Sequence, residues 1–466
     1  MNFGKVVETA KKILMQKSVE EDSVQGITCR AFTSTLFPRY PDLSLRLFGY
    51  FHYSSGSNTV DKISQSAFRS QVDKLLSVIS DESLVEVYVK MFAACNPEIS
   101  RDNFRDLIMT AYKLAMDHYP EGAQTCIKIY RTIQSVIDAV FHRKESISVL
   151  FAAHWLGVHC PKLVAGVHKY VVHVLTTAYR TAGQQTVSQT EQVEHDKGLE
   201  LTTPVLEKSF SYVSSSSGDS TSVSLPLSQV WLLATSLPAL YTKPQQLSPC
   251  SASNGMTSQG SHHLLVKMVI FTVAIGSVFP SHWVPLYNSN TQGLGANRFL
   301  THVLNYRGAT LVFLRGENGV EFMLGSSSEW KESHLYRGEG DCIIMQLLPE
   351  YYVIERGPKI LYLNTSIRGY PKGIRAGSDP RKPSIVVDED FSKVTYKEIP
   401  YQLVNVEVWG CGKPEQREAQ LEIKKWEVKE AEKQRVVKIN AAEWVDHPDR
   451  YLLELAGRPV YNNTAS

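Results

Sequence analysis

Apolar residues fall at helical spacing through the first third of the chain. Phe3, Val6 and Val7, Ala10, and Ile13 and Leu14 lie on one stripe, the period that places side chains on a single helix face. Phe104, Leu107 and Ile108, Ala111, and Leu114 and Ala115 repeat it, and Pro120 closes that helix. Ser80 and Asp81 read as the cap of a helix carrying Leu84, Val87, Tyr88 and Met91. Residues 1–181 are therefore expected to form an all-α domain.

The pattern then changes. Residues 182–226 turn polar, with runs such as Ser214-Ser-Ser-Ser-Gly-Asp, and bury too little apolar surface to offset the entropy of ordering. They read as a flexible linker. A similar disordered insertion is expected at 243–263, between two apolar segments, Leu227–Tyr241 and Leu264–Phe279, that read as a packed helix pair. Beyond Trp283 the period becomes that of strands. Thr310–Arg315 and Glu321–Leu324 flank Gly-Glu-Asn-Gly, a hairpin signal. Cys342–Leu348, Tyr351–Ile354, Ile360–Leu363, Ser384–Val387 and Leu403–Trp409 follow at fairly even intervals, which favours a β-sandwich. The fold class is α+β, with the β domain at 227–412.

Residues 413–466 form a helical extension. Pro414–Ile439 is rich in charge and in helix formers, with Glu422/Lys425, Glu430/Lys433 and Glu432/Arg435 as supporting pairs. As one helix it would reach on the order of 39 Å. Asp449–Gly457 reads as a short capped helix after a break.

Composition narrows the function class. A formal net charge of +2 over 466 residues gives no footprint for a nucleic-acid groove. Seven cysteines, scattered and odd in number, argue for a reducing compartment rather than a disulfide framework. No basic-then-apolar leader opens the sequence. The longest apolar run, Met268–Phe279, falls short of the roughly 20 residues a bilayer span needs and reads as a core helix. The acceptor patterns at Asn364 and Asn462 are taken as chance.

Two resemblances follow. Ile63-Ser-Gln-Ser-Ala-Phe68 and Ile99-Ser-Arg-Asp-Asn-Phe104 echo each other, and the spacing resembles EF-hand loops, in which the Ile makes a short β-contact and the Phe opens the exiting helix. Calcium needs six or more oxygens and a bidentate acid at the twelfth position. Here Ala67 and Asn103 hold that position and Gly56 and Phe92 the first, so the helices are expected to be metal-free.

Further on, Trp283-x-x-Leu286-Tyr287-x-Ser289 with Gly293 and Phe299, the Gly308–Gly319 hairpin, Ser328-Glu329-Trp330, Gly340-Asp341-Cys342, Tyr362-Leu363-Asn364, Val387-Asp388-x-Asp390-Phe391 and Glu407-Val408-Trp409 resemble the TLDc domain. With the degenerate EF-hand-like half and the helical tail, the chain is similar to the mTOR-associated, lysosomal branch of TLDc proteins. Three departures stand out. Asn2 replaces the glycine of the N-myristoylation pattern. The family's glycine-rich run is reduced to Arg375–Lys382, and only about a dozen residues separate Phe391 from Leu403, which predicts a trimmed sheet edge.

Candidate chemistry is sparse. His154, His159, Cys160, His168 and His173 do not have the paired spacing of structural zinc. Gly369–Gly377 lacks Walker spacing. Asp388, Glu389 and Asp390 read as an exposed turn, and Cys342 as a buried, inert strand residue. No catalytic, cofactor or metal residue is assigned, and a non-enzymatic protein is expected.

Glu329 with Trp330 suits a partner contact, although an ordinary strand-end tryptophan packed on the sandwich is the stronger reading. In the tail, Ile423 and Trp426 share a helix face, and Trp444 and Tyr451 follow. They suit either insertion into a partner's groove or folding back on the β domain. The resemblance implies a cytoplasmic regulatory adaptor, peripheral on the lysosomal membrane, that binds the vacuolar proton ATPase and is linked to mTOR-type signalling. The alternative it carries is protection from oxidative stress, directly or through gene regulation.

Overall fold

A computed structural model describes residues 3–56, 62–117, 129–182, 225–243, 280, 282–435, 452 and 455–457. Residues 183–224 of the predicted linker, 244–263 of the insertion, the Leu264–Phe279 helix, Trp444 and Tyr451 lie outside the described residues. The chain divides into two units, Met1–Lys413 and Pro414–Ser466.

The first unit opens with four helix–strand–helix modules. They are α1 (Phe3–Asp22), β1 (Ile27–Thr28) and α2 (Cys29–Leu36); α3 (Pro41–Ser54), β2 (Lys62–Ile63) and α4 (Gln65–Leu76); α5 (Asp81–Phe92), β3 (Glu98–Ser100) and α6 (Arg101–Asp117); and α7 (Ile129–Phe141), β4 (Ser146–Ser148) and α8 (Val149–His159). Each strand carries an isoleucine followed directly by a hydroxyl residue that caps the next helix. Thr28, Ser64, Ser100 and Ser148 accept from the backbone N–H of Ala31, Ala67, Asn103 and Phe151, which satisfies one donor at each helix start.

The two echoes seen in the sequence do not pair with one another. Ile63 lies opposite Ile27, and Ile99 opposite Ile147. The repeated phenylalanine recurs as Phe32, Phe68 and Phe104, all fully buried, and Ala152 takes its place in the fourth module. The twelfth loop positions hold Ala31, Ala67, Asn103 and Phe151, none of which can supply a bidentate carboxylate.

After α9 (Ala165–Ala182) come α10 (Leu227–Ser236) and α11 (Ala239–Thr242), broken at Pro238, which has no N–H to extend a helix. The β region follows: β5 (Val284–Asn288), α12 (Ser289–Gln292), α13 (Ala296–Val303), β6 (Thr310–Gly316), β7 (Glu321–Ser326), β8 (Ile343–Leu348), β9 (Tyr352–Arg356), β10 (Leu361–Asn364), β11 (Gly373–Ala376), β12 (Ile385–Val387), β13 (Lys393–Tyr396) and β14 (Ile399–Gly410). All strand pairs are antiparallel, in the order β10-β11-β12-β13-β14-β6-β7-β8-β9, with β5 also on β14.

The predicted β6–β7 hairpin forms, with Asn318 and Gly319 at positive φ in its turn. The dozen residues after Phe391, predicted to trim an edge, instead hold β13 and the start of β14 in mid-path. A two-residue turn with Lys397 and Glu398 both at positive φ joins them, the backbone twist that short hairpins need. The first residues of β14 pair with β13 and its later ones with β6 and β5. This long strand carries the outer sheet, β10–β13, over the inner one.

The inner sheet is buried on both faces. Leu311, Phe313, Met323, Ile343, Met345 and Trp409 join the core of the helical half, while Val312, Leu314, Phe322, Leu324, Ile344, Val406 and Val408 pack with Leu361, Ile374, Ile385 and Val387 of the outer sheet. Alternating side chains thus divide between two layers. Between the helical half and the inner sheet lies α10, every residue of it buried. Trp231 meets Tyr112 edge to face, and Ser228 meets Thr132. On the sheet side, Gln229 donates to Glu321, and Ser236 shares a 2.8 Å hydrogen bond with Tyr351. The helical half and the sheet therefore share one continuous core.

Candidate docking surfaces

The histidines and cysteine singled out in the sequence do not converge. His159 Nδ1 accepts from Val353 N–H of β9, His168 Nδ1 faces Tyr88 OH, and His154 is exposed. Cys160 is buried beside Ser236, and burial pushes its thiol up to about 12. Cys342 and Cys411 are buried as well. Among the described residues no group of His, Cys, Asp or Glu is placed to hold a metal ion. Asp388 caps its own turn, accepting from the N–H groups of Ser392 and Lys393.

Of the predicted contact pair, Glu329 is half-buried and ion-paired with Lys331. Trp330 is only 4% exposed. Its indole N–H donates to Thr310 Oγ1 over 2.8 Å, and its ring meets Phe299 edge to face. A buried indole needs such an acceptor, and the ring is a core residue of the sandwich with no face left for a partner.

The second unit holds α14 (Pro414–Arg435). Trp426 is 64% exposed and Ile423, one turn earlier, is half-buried. Leu421 and Val428 are exposed too, two turns apart on another face of the helix. Among the described residues Trp426 is the one exposed tryptophan.

One surface was not foreseen. Residues 331–338 run as a strap along the edge of β10: Ser333 N–H donates to Leu363 O, and Arg337 exchanges backbone hydrogen bonds with Leu361. Beside it lies the β10–β11 loop, 365–372. Glu332 binds the two together, accepting from the N–H and hydroxyl groups of Thr365 and Ser366. Burial alone would raise its carboxyl, but these four donors hold it below the ordinary carboxylate range. Asn364, fully buried, donates to Ile367 O and Pro371 O, and Tyr362 OH also donates to Pro371 O.

On this pinned frame sit exposed Leu335 and Tyr370, with the His334 ring tilted against Tyr370 at 5.3 Å between centroids. Around them stand exposed Arg337, Arg368 and Lys372 and half-buried Arg375. The basic, glycine-containing Gly369–Gly377 run was visible in the sequence. Its packing beside the strap was not, because that contact is long-range.

No helix among the described residues is long and apolar enough to cross a membrane. Residues 270–412 match the TLDc domain family. Among curated proteins the chain is similar to a restriction of telomere capping protein from Colletotrichum graminicola, 24% identical over 37% of this chain and 39% of that protein. It is likewise similar to the mTOR-associated protein MEAK7 of Gallus gallus, 24% identical over 28% of this chain and 31% of that protein. The matches thus span well under half the length of either relative.

Proposed function

The chain carries a TLDc domain at residues 270–412, and from that premise we propose that it is a non-enzymatic regulatory adaptor that works by docking. Its partner is the vacuolar proton ATPase, it acts from the cytoplasm on the lysosomal surface, and it is linked to mTOR-type signalling. Similarity to a protein whose name records mTOR association supports that link. The observation that carries the reading is Trp426: a large aromatic, 64% exposed, on the charge-rich helix of the second unit, Pro414–Ser466. Aromatic anchors of this kind concentrate binding energy when a partner groove covers them.

A pull-down of the ATPase from lysosome-rich lysate tests the proposal. Full-length chain, a truncation after Gly412 and Trp426→Ala are compared. Capture by the full chain with loss in both variants supports docking through the tail. Capture that survives truncation moves the contact to the TLDc sandwich. Failure of the full chain to capture the ATPase removes this partner.

A further inference from the structure

We infer that the strap 331–338 and the β10–β11 loop together form a second docking site, independent of the tail, for an acidic polypeptide segment carrying an apolar residue. Its cationic character is only partly balanced by ion pairs. The strap and loop carry exposed Arg337, Arg368 and Lys372, with half-buried Arg375 on neighbouring β11. Glu332 is consumed by its four internal hydrogen bonds, and Lys372 is paired with Glu389 at 2.9 Å. Asp379, near enough to Tyr336 to add to the rise that burial gives its phenol, caps Arg381 N–H. Among the described residues Arg337 and Arg368 make no ion pair.

The apolar part is equally specific. Leu335 is 62% and Tyr370 48% exposed, next to His334. Tyrosine and arginine around an aliphatic anchor is the composition of interface centres rather than of ordinary surface. The frame is preorganised, since Glu332, Asn364 and Tyr362 fix both loops from below, so little ordering entropy remains to be lost on binding.

Two further groups lie at the base. Tyr336 packs on Tyr362 at 5.2 Å, Tyr362 lies opposite Arg375 across β10 and β11, and neither Tyr336 OH nor Arg375 Nε has a hydrogen-bond partner. Carboxylates of a bound segment suit this surface because guanidinium groups donate to them in a planar fork.

The test is fluorescence anisotropy on the full-length chain with a fluorescein-labelled oligoglutamate peptide bearing one central leucine. Compared with it are Arg368→Glu with Lys372→Glu, Tyr370→Ala, and a control in the helical half, Arg143→Glu with Lys144→Glu, both exposed. The inference expects binding that weakens with salt and drops about tenfold or more in each patch variant, with the control unchanged. Unaltered melting temperatures must accompany these losses. Hydrogen exchange with the peptide bound should slow within 333–338 and 365–372. No binding by the wild-type chain, or equal binding by the patch variants, overturns the inference. Patch-dependent binding to phosphatidylserine vesicles without peptide binding also overturns it and assigns the surface to lipid headgroups.

Discussion

Gln229 Nε2 donates to Glu321 Oε2 over 2.7 Å, tying the buried helix α10 to strand β7. Glu321 also accepts from Arg315 Nε at 2.9 Å, and Arg315 lies 3.9 Å from Glu407. Burial pulls the Arg315 guanidinium down, but Glu321 and Glu407 outweigh it and raise its pKa. Two buried carboxylates thus share one cation at the junction of the helical half and the sheet, and Glu321 alone takes the Gln229 amide. Gln229→Leu removes the amide, and a lost hydrogen bond to a charged group costs about 1.5–3 kcal/mol. Denaturant unfolding followed by far-UV circular dichroism and by tryptophan fluorescence should shift together, because both halves share one core. Separate transitions would contradict that.

Ile99 and Ile147 face each other in the second module pair, as Ile27 and Ile63 do in the first. Truncating fully buried Ile99 to alanine should cost about 2–5 kcal/mol. Millimolar calcium should leave the melting temperature of the wild-type chain unchanged, since a ligand that binds only the folded state must raise it. A calcium-dependent rise would restore a metal role to these loops.

His159 gives a pH dependence. Burial, then Arg356 and His154, lower its pKa from 6.5 to about 4, consistent with Nδ1 accepting from Val353 N–H. The folded state therefore resists protonation. The contribution is complete above pH 6.5 and is lost as pH falls through the window to about 4. His159→Gln retains an acceptor without that titration, so the melting temperature of the wild-type chain should fall more steeply than the variant's across the window. Parallel profiles would show that His159 is not responsible.

The two exposed-site candidates from the sequence separate by mutation. Trp330→Ala should cost about 3–5 kcal/mol, as for a buried large ring, and Trp330→Phe about 1–3 kcal/mol for leaving Thr310 without its donor. Trp426→Ala should stay within about 0.5 kcal/mol. Thermal melts of the three variants decide it, and a large loss in Trp426→Ala would mean the ring is structural.

Much of this was legible in the sequence for a simple reason: amphipathic period is a local property. The stripe through Phe104, Leu107, Ile108 and Ala111 forms α6, and the Gly316–Gly319 turn closes β6 on β7. Even so, β11 escaped notice. Gly373-Ile-Arg-Ala has one large apolar residue, and Gly373 adopts a positive φ of 97° with Val387 O where a Cβ would stand. Only β10 and β12 on either side make it a strand.

The candidate sites divide the same way. That Trp330 and Trp426 are both tryptophans beside charge was plain from the chain. Which indole is buried was decided by Thr310 and Phe299, residues brought up by the fold. The run Leu311-Val-Phe-Leu314 settles that a strand is apolar on both sides. It cannot say that Leu311 and Phe313 meet helices while Val312 and Leu314 meet a second sheet, because the partner layers come from distant segments. Tertiary packing made that choice, and it also set the strap 331–338 beside Tyr370, where charge and aromatic surface converge.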